Sequence, residues 1–204
     1  MTKAVWGVRV RLAGALACAV MVSSCGDAAR QGQGSSYLIL TSLQGAPGNT
    51  GAFGTVLHSD VLNVNPTNGA VSIIGDSGQA VFQLALKDTG GSASPNSPSI
   101  NNAITLTQYH VQYVRSDGHN VQGVDVPFAF DGALTTTVAG TSTVGFTLVR
   151  VQAKEEAPLK ALAFAGGEDT ITAIAQVTFY GHDQSGHDVS SIGNIEVTFS
   201  DFGG

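Results

Sequence analysis

The chain has 204 residues, 15 acidic against nine basic, for a net charge of −6, and only 12% of its residues are charged. An acidic surface lacks the basic patch that phosphate backbones require, which excludes nucleic-acid binding as a main role. Two cysteines, Cys18 and Cys25, leave no disulfide framework.

The first element is a leader. Lys3, Arg9 and Arg11 are the only charges before Asp27, and an uncharged apolar run of eleven residues, 12–22, follows them. Small residues Ser23 and Ser24 then precede Cys25. A basic start, a short apolar middle and a small-residue end predict a secretory signal peptide. A membrane-crossing helix needs about 20 apolar residues, so this run is too short for one.

The end of the leader, Val22-Ser23-Ser24-Cys25, resembles the lipobox of bacterial lipoproteins, with Val22 where leucine is commonest. The resemblance implies that Cys25 is diacylated, that residues 1–24 are removed, and that Cys25 becomes the first mature residue. Several acyl chains hold a protein on a bilayer where one chain is marginal. Cys18 follows Ala15-Leu16-Ala17, which lacks the pattern. Gly26, next to the cysteine, is not the aspartate that resembles an inner-membrane retention signal. The expected place is therefore the periplasmic side of the outer membrane or the cell surface, with the membrane as partner through Cys25.

Residues 25–36 read as the lipidated cysteine and a small, polar, aromatic-free tether. Without the leader, six basic residues face 15 acidic ones and the net charge becomes −9. That balance argues against electrostatic docking on anionic lipid.

From residue 37 to 204 the sequence predicts one all-β domain. Runs rich in Val, Ile, Thr, Phe and Tyr alternate with Gly, Asn, Asp and Ser clusters, the pattern of an antiparallel β-sandwich. Strands are predicted at 37–43, 54–63, 70–74, 79–87, 103–115, 124–130, 134–138, 144–153, 170–181 and 194–202. Val124, Val126, Phe128 and Phe130 alternate with polar or small residues, as do Ile171 to Phe179 and Ile195 to Phe199. Such period-2 runs describe half-buried strands.

Two runs change phase. Ile104 and Leu106 are even, whereas Tyr109, Val111 and Tyr113 are odd; Phe146 and Leu148 are even, whereas Val149 and Val151 are odd. A slip of one residue would turn side chains to the wrong face, so β-bulges are predicted near Gln108 and near Leu148–Val149. Pro127 predicts an edge or a bulge. The loop 88–102 is expected to be mobile, and one helical turn is expected after Pro158.

Two loops hold the polar clusters. In 181–188, His182, Asp183, His187 and Asp188 are residue types that bind transition metals, but Asp-Gln-Ser-Gly between two patterned strands is turn chemistry. AQVTFYGHDQSGHDVS also resembles the late hairpin of immunoglobulin-like modules in bacterial surface proteins, over about 30 residues and with His187 in place of an asparagine. The resemblance implies an immunoglobulin-like sandwich and a structural turn. In 116–123, Asp-Gly marks a hairpin, and Asp117, His119 and Asn120 are candidate ligand-loop residues.

Catalytic signals are weak. Gly75-Asp76-Ser77-Gly78 resembles the nucleophile string of chymotrypsin-like proteases, yet the upstream His58 has no matching context, and a hairpin turn is the expected reading. Glu155 and Glu156 are adjacent in sequence and read as solvated beside Lys154 rather than as a hydrolytic pair. Aromatic sugar platforms are scarce: Trp6 lies in the leader, Tyr109 and Tyr113 share a core face, and Tyr180 points the other way.

The sequence therefore predicts no enzyme and no cofactor. It predicts a lipid-anchored, exported sandwich with a structural or protein-binding role in the envelope. The alternative is a metal- or ligand-binding module, or a hydrolase, built on loops 116–123 and 181–188.

Overall fold

Val, Ile, Thr and aromatic runs, too short and too strictly alternating for helices, pair into two packed sheets. The computed structural model describes residues 34–48, 51–65, 67–165 and 169–202. The signal peptide, Cys25 and most of the tether lie outside the described residues. The strands are β1 (Ser36–Ala46), β2 (Val56–Asp60), β3 (Asn63–Val64), β4 (Val71–Ser72), β5 (Asp76–Leu86), β6 (Gly90–Gly91), β7 (Ser94–Pro95), β8 (Ile104–Val114), β9 (Phe130–Val138), β10 (Thr141–Val149), β11 (Ile171–Asp183) and β12 (Asp188–Ser200). One short helix, α1 (Val151–Glu155), and a 3-10 turn at Leu159–Leu162 lie between β10 and β11.

A three-stranded sheet has the order β1-β5-β10, and a five-stranded sheet has the order β2-β12-β11-β8-β9. Their inner faces form one hydrophobic cluster that includes Phe82, Leu106, Tyr109, Val111, Phe146, Val177, Phe179 and Val197. Phe179 sits at its centre, edge-on to Phe82 at 4.9 Å and to Phe146 at 5.3 Å between ring centres. The protein is an all-β sandwich, as the alternation predicts. Among the described strands the pairs are antiparallel except one: β2 runs parallel to β12.

Both predicted bulges occur. The β8 register slips between Leu106 and Gln108 against β9, and the facing slip on β11 lies between Tyr180 and Gly181. A Cβ at Gly181 would collide with the Thr105 carbonyl and the Leu106 backbone, so glycine is required where the bulge brings two chains together. The second slip lies between Thr147 and Val149 on β10. It turns Leu148 and Val149 both inward, and both are buried. A bulge disturbs the ladder, and two tyrosines repair it: the Tyr113 hydroxyl donates to the Leu148 carbonyl at 2.6 Å, and the Thr147 amide donates to the Tyr109 hydroxyl at 3.2 Å. Burial raises the Tyr113 pKa.

Three expectations need correction. Residues 124–129 are not strand: Val121 O accepts the amides of Val124, Asp125 and Val126, and Gly123 adopts φ +75, so the chain turns. Val126 and Phe130 are buried, whereas Val124 is 66% exposed. The GDSG string is not a hairpin turn, because Asp76, Ser77 and Gly78 open β5. The strand predicted over 144–153 ends at Val149, and Arg150 leads into α1. The loop 88–102 carries the β6–β7 hairpin and a 3-10 turn at Ile100–Asn102. Pro127 precedes the edge strand β9, and the helical turn after Pro158 forms as predicted.

Candidate functional site

The two polar loops stand at opposite ends of the sandwich. In the β8–β11 register, Ile104 faces Asp183 and Val114 faces Ile174. Loop 116–123 therefore follows one end of β8, and loop 181–188 lies at the other, roughly 30 Å away at about 3.3 Å per residue. The structure does not bring Asp117, His119 and Asn120 together with His182, Asp183 and His187.

Loop 181–188 is built around Asp183. Its Oδ1 accepts the amides of Ser185 at 2.8 Å and His187 at 2.9 Å, and its Oδ2 accepts His187 Nδ1–H at 2.9 Å. Gly186 supplies φ +80 for the turn. Burial opposes ionisation of Asp183, but the His187 side chain and these two amides outweigh it and hold the carboxyl below its ordinary pKa. His182 is exposed on the opposite face of β11, paired with Asp188 in register. The carboxylate is thus occupied in shaping the turn. Among the described residues, no group of three or more His, Cys, Asp or Glu side chains is placed to share a metal ion.

Loop 116–123 closes on Arg115. The guanidinium donates to both oxygens of Asp117, from Nε at 3.2 Å to each and from Nη2 to Oδ2 at 2.5 Å. Asn120 Oδ1 accepts the Arg115 amide at 2.6 Å, and Nδ2 donates back to the Arg115 carbonyl at 3.2 Å. His119 Nδ1 lies 3.5 Å from Asp117. The Arg115 hydrogen bonds and the His119 amide lower Asp117 to about 2. Every oxygen offered for a cation is already an acceptor for protein hydrogens.

A buried ion pair lies outside both loops. Lys154, next to the Glu155–Glu156 pair expected to be solvated, is buried on α1, and its side chain is 1% exposed against 0% for Asp76. Its Nζ donates to Asp60 O at 2.7 Å, Ile74 O at 2.6 Å and Asp76 Oδ1 at 3.0 Å. Asp76 also accepts the Ser59 hydroxyl at 2.6 Å and the Gly48 amide at 3.0 Å. Desolvation lowers the Lys154 pKa against the attraction of Asp76. An ammonium with three acceptors has no lone pair and no open side, so this knot joins β2, β5 and α1 rather than performing chemistry. A lone lysine among alanines and glutamates carries no periodic signal of such burial.

The protease reading of Ser77 finds no partner: Ser77 is exposed, its neighbour Asp76 is held by Lys154, and His58 packs edge-on to Phe202 at 5.7 Å. No family model and no curated protein matches the chain.

At one end the chain enters. Ser36 Oγ donates to Asn102 O at 2.8 Å, Asn102 Nδ2 donates to Ser35 Oγ at 3.0 Å, and the Lys87 amide donates to Ser35 O at 3.0 Å. Gly34 lies against the Asp183 carboxylate. The opposite end, past Ser200 of β12, is about 40 Å away along that strand. It exposes Phe164 at 79%, Phe202 at 48% and Phe128 at 47%. Val61, Leu62, Ile73, Ala163 and Phe164 line a groove of ≈ 340 Å³ there, with Lys160 and Glu155 at its edge.

Proposed function

We propose that the protein is a lipid-anchored, exported β-sandwich of the cell envelope with a non-catalytic, protein-binding role, attached through Cys25. The observation that carries this reading is polarity. The chain comes in at the Gly34 end, where Tyr37 is 56% exposed, and the most exposed aromatic of the described residues, Phe164 at 79%, stands at the other end with Phe202 and Phe128. A tethered domain of this kind holds its far end away from the bilayer, where exposed apolar residues serve as contact points for another protein. The lipobox-like leader supplies the anchor. Among the described residues no helix is long and apolar enough to cross a membrane.

Two measurements test it. Fractionation of cells expressing Cys25→Ala is expected to move the protein out of the membrane fraction; retention after leader cleavage would contradict the anchor. A photo-crosslinking residue at position 164 is expected to trap an envelope protein, whereas the same residue at position 100, on the Gly34 side, traps none. Equal trapping from both positions, or none from 164, would reject the far-end contact while leaving the anchor intact.

A further inference from the structure

The outer face of the five-stranded sheet carries side chains that the fold does not use. On β12, β11 and β8, Asn194 stands opposite Gln176, and Gln176 stands opposite Gln112. These amides form one row across neighbouring strands, and all of them are exposed. Tyr180 lies further along β11, 41% exposed, with Gln108 opposite it on β8. Between the two rows stand Thr178 and, opposite it, Ile192.

Packing does not account for these residue types. Asn is depleted from strands because its side chain competes for backbone hydrogen bonds, yet Asn194 lies midway along β12. Elsewhere on this face, hydroxyls bond each other across strands: Thr105 meets Thr137 at 3.1 Å, and Thr172 meets Thr198 at 3.3 Å. Among the described residues, the side-chain amides of Asn194, Gln176, Gln112 and Gln108 have no such partner. Each one therefore turns two N–H donors and a carbonyl acceptor outward.

Charge narrows the ligand. The chain is acidic overall. Even so, the cross-strand rows from Tyr180 to Gln176 hold one carboxylate, Asp131, and it accepts His110 Nδ1–H at 2.8 Å. No lysine or arginine stands in these rows. Neither an anion nor a cation finds an unpaired counter-charge there. A protein partner favours a contiguous apolar patch, whereas Ile192 and the Tyr180 ring are set among amides and hydroxyls. An uncharged ligand dense in hydroxyls fits instead. A pair of adjacent hydroxyls donates and accepts as an amide does, and the C–H face of a sugar ring stacks on an aromatic whose tip is polar.

We propose that this face binds a neutral polysaccharide, with Asn194, Gln176 and Gln112 as its hydrogen-bonding row and Tyr180 as its stacking residue. Same-face positions along a strand are about 6.6 Å apart, so Gln176 and Tyr180 are separated by roughly 13 Å. One sugar ring cannot reach both, and a chain of several can. The face lies on the side of the sandwich, between the Gly34 and Phe164 ends, so glycan binding here holds whether or not Cys25 is acylated and whatever Phe164 touches.

The test uses the full chain in a zwitterionic detergent that carries no sugar. It is titrated with glucose, with neutral hexamers (cellohexaose, maltohexaose and chitohexaose) and with anionic oligogalacturonate, while NMR follows the side-chain amides and the tyrosine rings. At least one neutral hexamer is expected to shift the Asn194, Gln176, Gln112 and Tyr180 signals, with glucose far weaker and oligogalacturonate inactive. Gln176→Ala, at the centre of the row, is expected to weaken binding of that hexamer about five- to tenfold. Gln83→Ala, exposed on β5 of the other sheet, is expected to leave it unchanged. Failure of every neutral hexamer to shift these signals, equal binding of oligogalacturonate, or wild-type affinity in Gln176→Ala would overturn the proposal. Should that variant fail to fold, the wild-type shift map decides alone.

Discussion

A single lysine shows how burial changes the meaning of a charge. Lys154 holds three parts of the chain through Asp60, Ile74 and Asp76, with no water needed to complete its hydrogen bonds. Removing one partner of such a pair leaves the other charge buried and uncompensated, at a cost of about 3–5 kcal/mol. Lys154→Met is therefore expected to lower the thermal midpoint well beyond the effect of Lys160→Met on the surface, as calorimetry on both variants would show. Asp117 illustrates the opposite case. It is exposed, and its carboxyl is depressed to about 2 mainly by Arg115. Its folded pKa lies below the unfolded value of 3.8, so its contribution is present above pH 3.8 and lost as pH falls toward 2. Carboxyl NMR is expected to show Asp117 titrating about two units below a free aspartate, and Arg115→Gln to return it to the ordinary range.

At the scale of elements, the bulge on β10 is the best-supported irregularity. Its Leu148 carbonyl depends on the Tyr113 hydroxyl. Tyr113→Phe keeps the ring in the core and deletes only that donor, so a loss of about 1–3 kcal/mol in urea unfolding is expected, with an unchanged m-value. The phase change from Phe146 and Leu148 to Val149 announced this bulge in the sequence, because each side chain must reach the core from a pleated strand. The same logic misled at 124–129, where Val124, Val126 and Phe128 alternate as in a strand. There Gly123 at positive φ and the carbonyl of Val121 bend the backbone first, and turn geometry overrides the side-chain pattern. At loop 181–188 the turn residues were legible as a turn, but the occupation of Asp183 by His187 and two amides depends on backbone placement that residue types do not encode.

Over the whole molecule, the alternating runs made the two-sheet architecture readable, because period-2 burial is a local property. The buried Lys154 and the Phe202–Asp60 contact were not readable, because they join segments far apart in the chain with no periodic trace. Sheet order has the same character. The parallel β2–β12 pair cannot be inferred from either strand alone, since both show the alternation of any half-buried strand.

That pairing has a consequence for how the protein reaches its folded state. The Phe202 amide meets Asp60 across 142 residues of sequence. β2 has no sheet partner until β12 has been made, since β12 is its only neighbour in the five-stranded sheet. In the proposed exported protein, the end that carries Phe164 and Phe202 cannot be completed until the residues up to Phe202 have crossed the membrane. Contacts of such long sequence separation form slowly, so the nascent chain spends its passage with the Val56–Asp60 edge unpaired. A truncation that removes β12 would leave that edge open for good, and quality control during export would see the same surface that completion hides.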